Sequence, residues 1–178
     1  MGSYIPDRYA LRGNMEIVLA SYEYVEEYCD YVIECFRNGV DHYADAVSEP
    51  KSYLQRVIAN SDGRLLPEGW VPMSTFFCIE NGRILGAIRL RKDTNDYIRN
   101  VIGHIGYETR PSERGRGVAK TLLLWVKENQ LITEAIVTCS FDNIASRNVI
   151  ESCGGVLLNS HYSNDNRRKT LRFKLLRA

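Results

Sequence analysis

The chain predicts an α/β (α+β) fold: a single mixed, mostly antiparallel sheet of about seven strands around one parallel β-α-β pair. Three observations carry that prediction. In "STFFCIE-NG-RILGAIRLR" two β-rich runs flank Asn81-Gly82, a pair whose tolerance of φ > 0 suits a type I′ hairpin turn. "VIGHIGYET" and "EAIVTCS" read as buried strands on either side of the helical pattern "VAKTLLLWVKENQ". Strand, helix and strand in that order imply a right-handed crossover between parallel neighbours. "VLLNSHY" and "KTLRFKLL" then close a hairpin around "SNDNRR". Hairpins at both ends and one crossover in the middle exclude a doubly wound sheet.

The remaining elements follow in order. "NMEIVLAS" is the first strand. Ser21 can cap a helix over "YEYVEEYCDYVIECFRN", whose stripe is Val25, Cys29, Val32 and Phe36 and whose stop is Gly39. "SEPKSYLQRVIANSDG" is a second helix, with Ser48 as cap, Pro50 in the first turn and Gly63 beyond the end. "NIASRNVIESC" is a short helix stopped by Gly154-Gly155. No linker, repeat or low-complexity tract interrupts the series, so residues 1–178 are expected to form one domain.

Composition narrows the function. With 44% hydrophobic and 25% charged residues the chain can bury a substantial core, and a net charge of +1 gives no basic excess for nucleic acid. "MGSYIPDRYALRG" has no signal-peptide-like apolar run, no 18-residue apolar stretch suits a membrane, and Pro6 breaks the myristoylation pattern. Five cysteines, an odd number without a CxxC pair, fit buried thiols in a reducing cytoplasm. His42, His104 and His161 lie far apart, so no metal site is expected.

"RPSERGRGVAKTLL" is the informative stretch. Glycine weakens helices, yet Gly115 and Gly117 stand just before one. The first N–H groups of that helix, from Gly115 to Lys120, have no intrahelical partner and carry the positive end of its dipole. Without a Cβ in the way, an anion such as a pyrophosphate can rest on them, with Arg114 and Arg116 at the rim. The spacing fails both the P-loop and the third glycine of the dinucleotide fingerprint, where Lys120 stands. A turn that only leads a strand into a helix would read the same from these glycines alone.

The surrounding residues resemble the GNAT superfamily of acyl-CoA N-acyltransferases. Arg114-Gly115-Arg116-Gly117-Val118-Ala119 matches every defined position of its [RQ]xxGx[GA] hallmark, with Pro111 just before it. "NIASRNVIESCGG" is similar to the second signature, an asparagine-led helix ending in glycine, and the longer strings resemble a bacterial branch of predicted acetyltransferases. The resemblance is specific from Gly103 to Gly155 and implies helices on both faces of the sheet.

It also implies a mechanism. Acetyl-CoA would be the co-substrate, its pyrophosphate on the turn at Arg114, Gly115, Arg116, Gly117, Val118, Ala119 and Lys120. Its pantetheine would pair like an added strand with Tyr107, Glu108 and Thr109. A main-chain N–H there would face the thioester oxygen, a contribution on the order of 3 kcal/mol. Asn143 matches the asparagine that contacts the cofactor arm, with Ser146 one turn on. The amine must lose a proton before attack, and Glu108 or His104 is the candidate base. Ile150 stands where many members carry the tyrosine that protonates the thiolate. Cys139 and Cys153 read as core residues, because no His or basic cluster nearby in sequence lowers a thiol pKa.

The expected activity is transfer of an acetyl group to a primary amine by direct attack, in the cytoplasm. A non-catalytic acyl-CoA-binding regulatory module is the alternative. The acceptor stays open between small molecule and peptide, and the oligomeric state between monomer and homodimer. No nucleic-acid or membrane partner is expected. An acidic wall of Glu23, Glu26, Glu27, Asp30 and Glu34 would favour a cationic acceptor, though a solvated helix face explains it as well. Tyr22, Tyr24, Tyr28 and Tyr31 could line a pocket beside it.

Overall fold

A computed structural model describes residues 8–10, 14–163 and 168–178. Residues 1–7, where the leader and myristoylation readings begin, and 164–167 of the final turn lie outside them. The strands are β1 (Arg8–Ala10), β2 (Met15–Leu19), β3 (Met73–Glu80), β4 (Arg83–Arg91), β5 (Ile105–Thr109), β6 (Glu134–Ser140), β7 (Val156–Ser163) and β8 (Arg168–Leu176). They form one open sheet in the order β1-β2-β3-β4-β5-β6-β8-β7. Every neighbouring pair is antiparallel except β5 and β6. The fold is the mixed sheet that the sequence predicts, with short β1 as an eighth strand. The hairpin turn has the expected conformation, with φ +51° at Asn81 and +78° at Gly82.

Strand alternation divides the core in two. Ile17, Phe76, Cys78 and Ile88 face one side, under α4 (Val118–Asn129) and α5 (Ile144–Ser152). Val18, Phe77, Ile79 and Ala87 face the other, under α1 (Val25–Arg37), α2 (Ala44–Ser48) and α3 (Pro50–Ser61). Leu122, Leu123 and Val126 of α4 are fully buried, each worth roughly 1.5–3 kcal/mol of apolar transfer. That burial fixes the helix against the sheet, and with it the turn at its N-terminus. Among the described residues no helix is long and apolar enough to cross a membrane.

Local details depart from the sequence reading. The buried stripe of α1 is Tyr28, Tyr31, Val32 and Cys35; Phe36 is exposed. Tyrosines win the inner face because their rings bring large apolar area, and the Tyr31 hydroxyl finds a partner in Glu108. Ser21 makes no capping bond, and a 3₁₀ turn (Tyr22–Tyr24) precedes α1. Ser48 ends α2 rather than capping α3, whose N-cap is Glu49. Val101 and Ile102 belong to a π-helical turn (Ile98–Ile102), because Gly103 at φ +73° reverses the chain before β5 begins.

Candidate active site

β5 and β6 are held together by a single ladder pair, Ile105 with Val137. Beyond it the strands part, and β6 continues with β8. On its other edge β5 stays paired to β4 through Thr109, and Arg110 N–H donates to Leu85 at 2.8 Å. Antiparallel alternation therefore spends the backbone of Glu108 on Ala87 and turns the N–H and C=O of Tyr107 and Thr109 into the gap. Of the three strand residues expected to pair with an extended ligand, two are free to do so.

The gap opens into a cleft of about 880 Å³. Tyr107, Glu108 and Thr109 form its floor, and Arg114, Gly115, Gly117, Val118, Ala119 and Lys120 its phosphate-sized end. Gly115 and Gly117 lie at φ +81° and +80°, and a Cβ on either would meet no protein atom within 4 Å. Packing therefore leaves open the space above both glycines. Gly117 caps α4 without a side-chain bond, and Thr121 is the first residue whose N–H closes a helical turn, to Gly117. Among the described residues the amides from Gly115 to Lys120 find no backbone acceptor. This is a cradle for an anion.

Asn143 and Ser146 line the opposite wall. Asn143 is the N-cap of α5 and accepts from Ser146 N–H at 3.0 Å. The Tyr107 hydroxyl lies 2.8 Å from Ser146 Oγ, and burial pushes its pKa up to about 12. Arg168, Ala145 and Val149 complete this wall, while Gly39, Val40, Asp41 and His42 form the other lip. No local pattern marks these residues: Arg168 arrives by the pairing of β8 with β6, and His42 by the turn after α1.

Glu108 is the most heavily engaged polar group at the cleft. Its Oε1 accepts from Tyr31 at 2.7 Å, Tyr43 at 2.6 Å and Arg89 Nη1 at 3.2 Å, and Arg89 Nη2 reaches Oε2. Arg89 lies opposite Gly106, which has no side chain to keep it from Glu108. Burial alone would raise the carboxyl pKa, but Arg89 and the hydroxyl donors hold it below its ordinary value. His42 Nε2 stands 3.5 Å from Oε2.

Several expected site residues lie elsewhere. His104 is away from the cleft lining; its Nδ1 accepts from Ile136 N–H at 3.0 Å, closing the one junction between β5 and β6. Arg116 turns outward to Glu80 at 2.5 Å and Glu113 at 2.6 Å, so Arg114 and Lys120 are the turn's cations at the cleft. The acidic residues of α1 make no cleft wall. Glu27 and Glu34 hold the buried guanidinium of Arg110, and Glu26 holds Lys51 at 2.6 Å. Tyr28 and Tyr31 are core residues. Cys139 and Cys153 are buried, and burial raises both thiols. Among the described residues no cluster of three or more His, Cys, Asp or Glu could hold a metal ion.

The profile of the acetyltransferase (GNAT) family matches residues 40–154, which span the lip, the gap, the glycine turn and α5. The chain belongs to the GNAT acetyltransferase family. As a GNAT enzyme it is an acyltransferase that takes acetyl-CoA as its donor, and the open glycine cradle fits a pyrophosphate. No curated protein matches the chain in sequence. Among solved structures it resembles the microcin C7 self-immunity acetyltransferase MccE, captured with acetyl-CoA and AMP (TM-score 0.75, 15% identity, 98% of both chains). It also resembles RimL, a ribosomal L7/L12 α-N-protein acetyltransferase captured with coenzyme A (TM-score 0.72, 15% identity, 95% of this chain and 97% of that one). A third is the ribosomal-protein-S5-alanine acetyltransferase of Vibrio fischeri (TM-score 0.71, 15% identity, 96% of both). At such identity the likeness is one of fold, and the GNAT frame extends past the matched segment to both edges of the sheet.

Ile150, in the position where a tyrosine acid was expected, is fully buried under α4 and does not line the cleft. The backbone of Gly155 packs directly against it. Ile150→Tyr should therefore cost about 1–3 kcal/mol of stability through overpacking. It should bring no gain in turnover; urea unfolding and steady-state rates check this, and a stable, faster variant would contradict it.

Proposed function

We propose that this GNAT enzyme moves the acetyl group of acetyl-CoA to a primary amine by direct attack. The observation that carries the reading is the continuity of one cleft, which runs from the glycine cradle, past the unpaired backbone of Tyr107 and Thr109, to the polar lip at Asp41 and His42.

Bound acetyl-CoA supplies an acyl carbon already activated as a thioester and a thiolate leaving group. The amides of residues 115–120, with Arg114 and Lys120, would hold its phosphates. Tyr107 and Thr109 would pair with the pantetheine as an added strand. A main-chain N–H turned into the gap would face the carbonyl oxygen, where negative charge develops. Asn143 and the Tyr107–Ser146 hydroxyl pair would line the thiolate side. A free thiol titrates near 8.5, so the departing sulfur needs little help from an acid. The cytoplasm suits this chemistry and the free thiols.

Direct attack excludes an acyl-enzyme. Both cysteines near α5 are buried with raised thiol pKa values, the opposite of an activated nucleophile. The double variant Cys139→Ala, Cys153→Ala should keep kcat within about threefold of wild type with a primary amine. An acetylated cysteine trapped by mass spectrometry, or a kcat loss of several orders of magnitude in a folded variant, would overturn direct transfer.

A further inference from the structure

The proton of the attacking amine has no good acceptor in Glu108. That carboxylate already receives two tyrosine hydroxyls and both arms of Arg89, and each bond stabilises the form that would have to take up the proton. His104 is bonded to Ile136 away from the cleft. The group at the mouth of this network is His42. It sits on the 3₁₀ turn Asp41–Tyr43, lines the cleft beside Glu108, and its side chain is 47% exposed. Its ring packs on that of Tyr43, centroids 4.4 Å apart. Nε2 faces Glu108 Oε2 at 3.5 Å, and Nδ1 makes no hydrogen bond among the described residues.

The geometry points to His42 as the general base that deprotonates the acceptor amine, with Glu108 as its positioning residue. This inference rests on the proposed amine acetyltransferase activity. Glu108, fixed by Arg89, Tyr31 and Tyr43, accepts from Nε2–H and so leaves the lone pair on Nδ1. The contact is 3.5 Å here, and catalytic hydrogen bonds that are long without ligand commonly tighten in the Michaelis complex. An ammonium acceptor gives one proton to Nδ1, which passes it to solvent. The neutral amine nitrogen then bonds to the acyl carbon, the C–S bond breaks, and the second amine proton leaves with the thiolate as thiol. The products are the acetamide, free CoA thiol and one proton.

The electrostatics agree with that role. Burial and then Arg89 lower the pKa of His42 from its ordinary value, and Glu108 and Asp41 only partly offset them. These surroundings favour the neutral imidazole over the imidazolium, as a base requires. The sign is defined: activity is present above the His42 pKa and is lost as pH falls through it, so the acidic limb of kcat lies below about 6.5.

The test uses the full-length enzyme, acetyl-CoA, and tyramine, spermidine and tripeptides with free N-termini as acceptors. His42→Gln at this exposed position should fold and bind acetyl-CoA as wild type does. Its kcat should fall about 100- to 1,000-fold, and its acidic limb should move to alkaline pH, where the amine's own ionisation governs. Added imidazole should restore part of the rate in His42→Ala. A kcat within threefold of wild type with an unchanged acidic limb overturns the assignment of His42 and leaves the acetyltransferase activity standing. Absence of transfer by the wild-type enzyme to every acceptor overturns the proposed function, and the inference with it.

Discussion

Gly117→Asp should abolish saturable acetyl-CoA binding while the protein stays folded. Gly117 has φ +80°, in the left-handed region, where aspartate and asparagine are the least strained of the substituted residues. Aspartate is also a good N-cap, and no protein atom lies within 4 Å of the new Cβ. The fold should therefore survive. The ligand should not, because a carboxylate would stand where the cradle receives a pyrophosphate and would take up the α4 amides itself. The dissociation constant by calorimetry should rise at least about 100-fold, a loss of about 2.7 kcal/mol. Gly117→Asn separates causes: it keeps the bulk without the charge and should weaken binding less. Unchanged affinity in a folded Gly117→Asp variant would mean that the phosphates bind elsewhere.

The second large effect falls on stability. Arg110 follows β5 directly, is 3% exposed, and ties that strand to α1. Its Nε donates to Glu34 at 2.5 Å, its Nη1 to Glu27 and to the Ile84 carbonyl. Burial opposes ionisation of Glu34, but Arg110 and Ser112 outweigh it and hold the carboxyl at about 2. Arg110→Ala leaves Glu27 without its counter-ion and Glu34 with only the more distant Arg83 at 3.6 Å, and should cost about 3 kcal/mol. For a chain of this length that is roughly 6–12 °C in Tm. Exchanging the whole cluster, with Arg110→Met, Glu27→Gln and Glu34→Gln together, should recover much of the loss, since the expense lies in the unpaired charges. Calorimetric melting checks both variants; a shift under 2 °C in Arg110→Ala would show that the cluster is only loosely coupled to folding.

The same cluster shows where sequence reasoning stops. Periodicity and turn chemistry are local, and they found every strand that borders the site, the Asn81-Gly82 hairpin, and α4 and α5 to within a residue or two at their ends. The glycine turn was legible because positive φ and a naked backbone leave a mark in the residue types themselves. Pairings between distant elements leave none. Glu27 and Glu34 read as a solvated face until Arg110, 83 and 76 residues away, arrives beneath them. Glu108 read as a candidate base because nothing in sequence couples it to Arg89, Tyr31 and Tyr43. His104 read as a site residue by alternation along the strand, yet the bend at Gly103 gives its ring to Ile136. His42, the one histidine at the cleft, lies in a short 3₁₀ turn with no periodicity to mark it.

Acetyl transfer itself is the most direct test of the account. Full-length protein is mixed with acetyl-CoA and the amine panel, and CoA thiol release is followed together with the mass of the acceptor. The account predicts a saturable, amine-dependent release of thiol, one acetylated amine for each thiol, with no acetyl group left on the protein. Tight acetyl-CoA binding with no amine-dependent thiol release from any acceptor would contradict it.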